Sequence, residues 1–577
     1  MTRADLEALL SASDTWAAGD PDPQTAAELR TLTTQVRSGD DPSAEQELRD
    51  RFSGPLAFGT AGLRAALGAG PNRMNRVVVR RAAAGVAAHA LELAAGAYTP
   101  RAVVGFDARH NSRIFAEETA AIFAARGIQT FLMPRELPTP VLAYAIRALE
   151  CEVGIMVTAS HNPPQDNGYK VYLGGRAVEE DARGVQIVAP HDAGIAAHID
   201  AVGEVELADG GWTVLPGSIE TDYIASVSSL ADPTTGRDLR IVLTPLHGVG
   251  GRTALSVLAT AGFDDVTVVE RQAEPDPDFP TVAFPNPEEP GALDLALETA
   301  AQVDADLVIA NDPDADRVAL AAREPSTGTW RMLRGDEVGS LLGLHLVARL
   351  TGEAADPGGS DAGRGTVFAN SIVSSRLLGR IAESSGITHV RTLTGFKWIA
   401  RVHDLSYGYE EALGYCVAPE LVRDKDGISA ALLLAELAAS TRAAGRTLFD
   451  LLDDAYLLHG VHASDQLSIR VESLDLLGEL MSRLRQNPPS SLAQSPVRVA
   501  EDLADGSAQL PPTDGLLYLT EDATRVIVRP SGTEPKLKCY LEVVETVASA
   551  DTLGAAKDAA RARLASVKDD VAAALGV

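Results

Sequence analysis

A strand, a polar turn, an amphipathic helix, a glycine stop and a second strand recur three times along this chain. The first copy runs from Ala102-Val103-Val104-Gly105-Phe106 through Ile114–Arg126 to Gly127-Ile128-Gln129-Thr130-Phe131-Leu132. The second runs from Arg240-Ile241-Val242-Leu243 through Thr253–Ala261 to Gly262-Phe263 and Val266-Thr267-Val268-Val269. The third runs from Thr366-Val367-Phe368-Ala369 through Ser375–Ser385 to Gly386-Ile387 and His389-Val390. Glycine ends each helix where the apolar periodicity stops, so each copy reads as a βαβ unit. At 577 residues the chain is too long for one hydrophobic core, and length alone predicts about three to five domains.

The C-terminal part follows another pattern. Gln466–Val471 and Arg525–Val544 read as strands around helices, with a Pro/Gln/Ser-rich connection at Gln486–Pro496. Arg423 to Leu451 reads as helix leading into a linker near Tyr456–Ser464, and Ala550 to Leu575 as an alanine-rich amphipathic helix. The expected organisation is a helical extension over 1–45, with a turn at Gly39-Asp40-Asp41-Pro42, then α/β domains over 46–213, 214–325 and 326–456. A smaller α+β domain covers 457–577.

Charge and composition exclude several classes of function. With 50 Lys+Arg against 80 Asp+Glu the net charge is -30. Nonspecific binding to nucleic acid or to an anionic membrane needs a basic face, so both are excluded. An anionic substrate must then be drawn by local cations against the overall field. Met1 to Pro23 lacks a basic-then-apolar signal pattern. The apolar run Ala82–Tyr98 is interrupted by His89 and Glu92 and is too short to span a bilayer. Cys151, Cys416 and Cys539 lie far apart, which suggests neither a disulfide framework nor a zinc site. The expectation is a soluble cytoplasmic protein.

Chemistry concentrates in loops at strand ends. The strand Val153-Gly154-Ile155-Met156-Val157 delivers Thr158-Ala159-Ser160-His161-Asn162-Pro163-Pro164, which closes at Asn167-Gly168-Tyr169-Lys170. Two prolines block helix continuation, so Ser160 is expected in an exposed loop, with His161 beside it and Lys170 ten positions on. Asn311-Asp312-Pro313-Asp314-Ala315-Asp316-Arg317 joins the apolar strands Ala305–Ala310 and Val318–Ala322. Its three alternating carboxylates converge on one point and suit a hard divalent cation. A calcium EF-hand would need glycine at the sixth loop position and glutamate at the twelfth. Arg317 and Arg323 stand there instead. In Arg529-Pro530-Ser531-Gly532-Thr533-Glu534-Pro535, followed by Lys538, the glycine lets backbone amides face a concavity, while Ser531, Thr533 and two cations supply donors.

These loops resemble those of the α-D-phosphohexomutase family, the phosphoglucomutases and phosphomannomutases, over Phe58 to about Glu542 and in the family's order. The resemblance implies four domains around a central cleft: three similar α/β domains with mixed sheets and a smaller α+β C-terminal domain. It implies that Ser160 carries a phosphoryl group lent to the substrate and taken back. It also implies one Mg²⁺ per chain, held by Asp312, Asp314, Asp316 and a phosphoryl oxygen on Ser160. Gly59-Thr60-Ala61-Gly62-Leu63-Arg64 resembles the family's arginine loop, which puts Arg64 near the transferring phosphoryl. His161 and Lys170 are both candidates for the proton transfers. Asp107-Ala108-Arg109-His110-Asn111-Ser112 is expected to support the site without a catalytic part.

Substrate contacts are implied in the same way. Tyr409-Glu410-Glu411-Ala412 matches the sugar-binding loop only in part, since many members carry Gly-Glu-x-Ser. Glu410 is kept, and Ala412 lacks the hydroxyl. Thr392-Leu393-Thr394-Gly395-Phe396-Lys397-Trp398 resembles the loop that helps choose the sugar's orientation, which implicates Thr394, Gly395 and Lys397. Arg317 is an implied substrate contact, and Arg529, Ser531, Gly532, Thr533 and Lys538 are the implied phosphate contacts. The implied activity is reversible movement of phosphate between the 1- and 6-positions of glucose or mannose phosphate, with a sugar bisphosphate as intermediate and activator. The variant loop resembles the long phosphoglucomutase/phosphopentomutase branch, so ribose phosphates stay open. A metal-dependent sugar phosphatase using an aspartate nucleophile, and a sugar-phosphate sensor, are more distant alternatives. The implied partners are small sugar phosphates, with the chain a monomer or homodimer.

Overall fold

The structure is a computed structural model that describes residues 3–39, 41–59, 62–353, 366–471, 474–507, 510–531 and 536–577. The chain forms two compact units. One holds residues 1–320 and 418–433, the other 321–417 and 434–577.

The first unit opens with three helices, Arg3–Gly19, Pro23–Ser38 and Pro42–Arg51. The second and third begin alike: Asp22 and Asp41 accept the amides of Gln24 and Ser43, with proline just inside the helix. Ala17, Leu29 and Leu48 bury their apolar faces against Ala69, forming a small core of their own. The third helix runs through the expected boundary at residue 45 to Arg51.

Beyond it lies a mixed sheet. Its strand order is Gly62–Ala66, Asp166–Leu173, Val153–Val157, Arg101–Phe106, Gln129–Leu132 and Thr213–Val214, with Val185–Gln186 added beside Asp166–Leu173. Arg101–Phe106 pairs in parallel with Gln129–Leu132 and with Val153–Val157, while Asp166–Leu173 runs antiparallel to its neighbours. A second sheet orders Val318–Arg323, Leu307–Asn311, Ile241–Thr244 and Val266–Val268, its last two pairings parallel. The first two sequence repeats are therefore parallel βαβ units. The core lies between sheet and helices, in residues such as Val104, Phe115, Phe123 and Ile155, each at most 1% exposed.

The second unit contains the third repeat. Thr388–Thr392, Val367–Ser371 and Leu405–Glu410 are parallel, and Gly414–Cys416 pairs antiparallel to the last. Here too Ala321–Arg323 pairs antiparallel with Trp330–Met332. The C-terminal sheet is antiparallel throughout, ordered Val461–Arg470, Lys536–Glu545, Arg525–Pro530, Leu516–Thr520, Ser495–Asp502 and Ser491–Leu492. The helix Leu553–Leu575 covers it.

Several expectations are corrected. Arg423–Leu451 is not one helix: Gly427–Ala443 and Leu448–His459 are separated by Gly445 at φ 71° and restarted by a Thr447/Asp450 capping box. No linker spans Tyr456–Ser464. After His459 only Gly460 intervenes before strand Val461–Arg470, whose ladder with Lys536–Glu545 pairs every residue. Within Gln486–Pro496, expected as a connection, lies the strand Ser491–Leu492, while Arg525–Pro530 and Lys536–Glu545 are paired strands, as expected. Residues 418–433 pack with the first unit although they follow the third repeat. Among the described residues no single helix is long and apolar enough to cross a membrane.

Candidate active site

Ser160 stands at the end of strand Val153–Val157, in a tight turn whose geometry the surrounding loop enforces. Its φ of 51° is left-handed, which costs a non-glycine residue about 1–2 kcal/mol. Its amide donates to Thr158 Oγ1 at 2.9 Å, an ordinary local turn contact. The larger restraint is Arg109. Its Nη2 donates to the Ser160 carbonyl at 2.6 Å and to the Asn162 carbonyl, and its Nη1 donates to those of Pro163 and Asp166 at 2.9 and 3.0 Å. One planar guanidinium thus gathers four carbonyls of the serine loop. Arg109 is held by Asp107, 3.5 Å from its Nε, and lies 4.9 Å over the ring centre of Phe279. Asp107 also accepts Ser112 Oγ at 2.6 Å.

The expected exposure of Ser160 is not what the fold produces, for the residue is 2% exposed. Its hydroxyl is covered by polar partners. Oγ donates to Asp312 Oδ2 at 2.7 Å and lies 3.2 Å from His161 Nδ1. Arg64, on the strand Gly62–Ala66, reaches the same loop and donates to Asn162 Oδ1 at 3.0 Å.

The aspartate loop turns between Leu307–Asn311 and Val318–Arg323 with Ala315 left-handed at φ 55°. Gly248 makes its packing possible: a Cβ there would fall 2.3 Å from Pro313 Cα. The three carboxylates are buried, and their ligand atoms lie within 4.8 Å of one another. Lys170 donates to Asp314 Oδ2 at 2.7 Å and Asp316 Oδ2 at 2.9 Å. Lys425 lies 3.4 Å from Asp316 and Arg317 3.7 Å from it. Thr139 Oγ1 donates to Asp314 Oδ2 at 2.6 Å.

Burial first, and then Asp314 and Asp316, push the Asp312 carboxyl well above its ordinary range. Burial opposes ionisation of Asp316 too, but Lys170, Lys425 and Arg317 outweigh it and hold that carboxyl well below the range. Lys170 is desolvated, yet Asp314 and Asp316 together keep its ammonium above the ordinary lysine range. Asp314 Oδ1 and Asp316 Oδ1 are buried with no hydrogen-bond partner. A divalent cation meets that shortage, and an all-oxygen donor set in a rigid loop fits magnesium.

In the second unit two expected substrate loops are joined. The Gly395 amide donates to Glu410 Oε1 at 2.8 Å, which sets Thr394 and Lys397 beside the turn carrying Glu410 and Ala412. Burial, then Glu410 and Asp336, push the neighbouring Glu411 up to about 7. Its Oε2 accepts Ser374 Oγ at 2.8 Å and Ser371 Oγ at 3.1 Å. Tyr409, in the family's glycine position, is fully buried between Tyr407 and Tyr415 and donates to Asp336 Oδ1 at 2.9 Å. It belongs to the core. Arg529 faces Lys538 across the hairpin Arg525–Pro530/Lys536–Glu545, and Ser531 begins its loop with its amide on the Lys536 carbonyl at 2.7 Å. Gly532 and Thr533 lie outside the described residues.

Sequence reasoning missed Thr139 and Lys425 and gave Arg109 only a supporting place. The detectable signal was Arg423-Asp424-Lys425-Asp426, a run of alternating charges directly before an apolar stretch. All four are buried, with Tyr172 Oη on Asp424 at 2.9 Å and Tyr223 Oη on Asp426 at 2.8 Å.

Known proteins resemble this chain over most of its length. Residues 55–205, 221–327 and 334–457 match the models of phosphoglucomutase/phosphomannomutase alpha/beta/alpha domains I, II and III. Residues 482–559 match that family's C-terminal domain. A Haemophilus influenzae protein named "Probable phosphomannomutase" is 45% identical over 474 residues, covering 81% of this chain and 93% of its own. A Homo sapiens phosphopentomutase is 33% identical over 550 residues, covering 88% of each. The crystal structure of a Burkholderia thailandensis phosphoglucomutase/phosphomannomutase family protein shares the fold with a TM-score of 0.64 at 20% identity, covering 90% of this chain and 97% of that one. With four domain models matched in order and these relatives spanning most of its length, the chain belongs to the phosphoglucomutase/phosphomannomutase family of phosphosugar mutases, which are isomerases.

Proposed function

We propose that this enzyme moves phosphate reversibly between the 1- and 6-positions of glucose or mannose phosphate through a phosphorylated Ser160. One observation carries the reading: Ser160 Oγ sits 2.7 Å from Asp312, in a buried triad with two unpartnered carboxylate oxygens. Asp312, Asp314 and Asp316 would hold Mg²⁺, which stabilises charge on the transferring phosphoryl. The phosphoryl passes from Ser160 to the free hydroxyl of the sugar monophosphate, giving a bisphosphate that is intermediate and activator. The other phosphate then returns to Ser160. Arg64 and Arg317 supply fixed positive charge. Arg109 keeps the serine loop in its left-handed turn. His161, its Nδ1 3.2 Å from Ser160 Oγ, serves the proton transfers, while Lys170 keeps its proton between two carboxylates.

Glu410 takes sugar hydroxyls together with the Thr394–Lys397 loop, and Ala412 offers them no hydrogen bond. Arg529, Ser531, Gly532, Thr533 and Lys538 take the phosphate that is not reacting.

The test is Ser160→Ala. Turnover of glucose 1-phosphate with trace bisphosphate should fall by at least about 10³-fold, as expected when a covalent nucleophile is lost. Intact mass should show no phosphorylated species. Retention of most activity would sink the reading. The pentose reading is favoured by the phosphopentomutase relative and by the missing hydroxyl at Ala412. Comparing kcat/KM for glucose, mannose and ribose 1-phosphates decides between them.

A further inference from the structure

We propose that His89, Glu92 and His198 form a second cation site, separate from the aspartate triad, that takes a borderline divalent transition metal such as zinc(II). The helix Arg76–Ala94 places His89 and Glu92 three residues apart, hence on one face. The helix His191–Asp200 packs against it and contributes His198. Glu92 Oε2 lies 2.7 Å from His198 Nε2 and 3.7 Å from His89 Nδ1, and the three ligand atoms fall within 4.8 Å of one another. Ligands about 2.0–2.2 Å from a tetrahedral zinc stand roughly 3.3–3.6 Å apart, so small side-chain shifts close the set.

A second observation points to a ligand. His89 is 7% exposed, and its Nδ1 is buried with no hydrogen-bond partner. The ring is oriented by its other nitrogen, with Nε2 lying 3.0 Å from His191 Nδ1. When His89 donates there, Nδ1 keeps a lone pair, 3.7 Å from Glu92 Oε2 and within 4.8 Å of the His198 ligand atom. That is the outer-shell arrangement common to metal-bound histidines. Burial, then His191, favour the neutral ring, the form that binds metal.

Space is provided as well. Gly194 lies within the helix His191–Asp200, where glycine costs about 1 kcal/mol relative to alanine. A Cβ there would fall 2.9 Å from His89 Cε1 and 3.1 Å from Nδ1. The glycine keeps the region beside Nδ1 open. On the other side the Glu92 side chain is 64% exposed and that of His198 31%, which admits the ion and leaves room for water as a fourth ligand. Two imidazoles and one carboxylate select zinc, nickel or copper, whereas the all-oxygen triad selects magnesium. The bound ion would cross-link two helices of the first unit, outside the machinery of phosphoryl transfer.

Titration of zinc chloride into the full chain, stripped of metal and resupplied with Mg²⁺, against a chromophoric chelator tests this. The wild type should hold one equivalent more than His198→Ala, and Glu92→Gln should weaken that equivalent at least tenfold. Zinc should raise Tm in the wild type more than in either variant. Both variants alter partly exposed side chains and should keep wild-type mutase activity with Mg²⁺, which shows them folded. Equal zinc stoichiometry and affinity in all three proteins would overturn the site and leave a hydrogen-bonded helix junction.

Discussion

Arg109 is where a single side chain decides most about the serine loop. It is 4% exposed, is balanced by Asp107, and restrains four carbonyls. Replacing it with methionine leaves Asp107 as an uncompensated buried charge, a loss of about 3–5 kcal/mol. Arg109→Met should therefore lower Tm sharply, and adding Asp107→Asn should restore much of the stability while activity stays low. Recovery of activity along with stability would mean that Arg109 does not set the serine loop. Glu411 gives a pH dependence. Its carboxyl lies at about 7 in the folded chain against an ordinary 4.5. Between those values the folded state keeps a proton that the unfolded state has released. This contribution is thus complete below pH 4.5 and is lost as pH rises through 7. Subtracting the Tm–pH profile of Glu411→Gln from that of the wild type should leave a difference that falls across this window. A flat difference would contradict the shift.

At the level of elements, the aspartate loop depends on a neighbouring loop as much as on its own strands. Pro245–Gly250 lies against it, and Gly248 leaves no room for a side chain beside Pro313. The Val249 amide also donates to the Pro313 carbonyl at 2.8 Å. Gly248→Ala should push the aspartate loop out of place, at about 1–3 kcal/mol of overpacking strain. The Mg²⁺ concentration for half-maximal activity should rise several-fold, which a magnesium titration at saturating substrate measures. An unchanged titration would mean that the loop absorbs the methyl group elsewhere.

On the scale of the molecule, the second unit ties its two sheets together through a buried carboxylate. Glu542 accepts Arg376 Nε at 2.6 Å, Ser375 Oγ at 2.8 Å and His462 Nδ1 at 3.2 Å, and lies 3.2 Å from Arg525. Arg525 in turn donates to the carbonyls of Ile372 and Ser374 at 2.8 and 2.7 Å. Ile372, Val373, Leu393, Ile527 and Tyr540 form an apolar cluster across the same junction. Burial opposes ionised Glu542, but Arg525, His462 and Arg376 hold it well below the carboxylate range. Its stabilisation is present above the ordinary value of 4.5 and fades as pH falls below it. Glu542→Gln should cost about 3–5 kcal/mol and unfold the second unit at a lower temperature. Calorimetry should then show two transitions where the wild type has less separation.

The sequence by itself determined the three parallel βαβ units and the strand-end loops, and it singled out Ser160 and the three aspartates as candidate site residues. These are local facts: apolar periodicity, glycine stops and turn residues act within about ten positions. The tertiary structure alone decided what distant residues do to one another. It buried Ser160 by bringing Asp312 to it across 152 positions. It returned Lys425 to the first unit, replaced the expected linker with a ladder pairing Val461 to Glu545, and seated Tyr409 in the core. It also turned His89 and Glu92, which interrupt an apolar run in the sequence, toward His198 on another helix. Burial, ion pairing and pKa depend on separation in space, and pattern along the chain records only which residues are available.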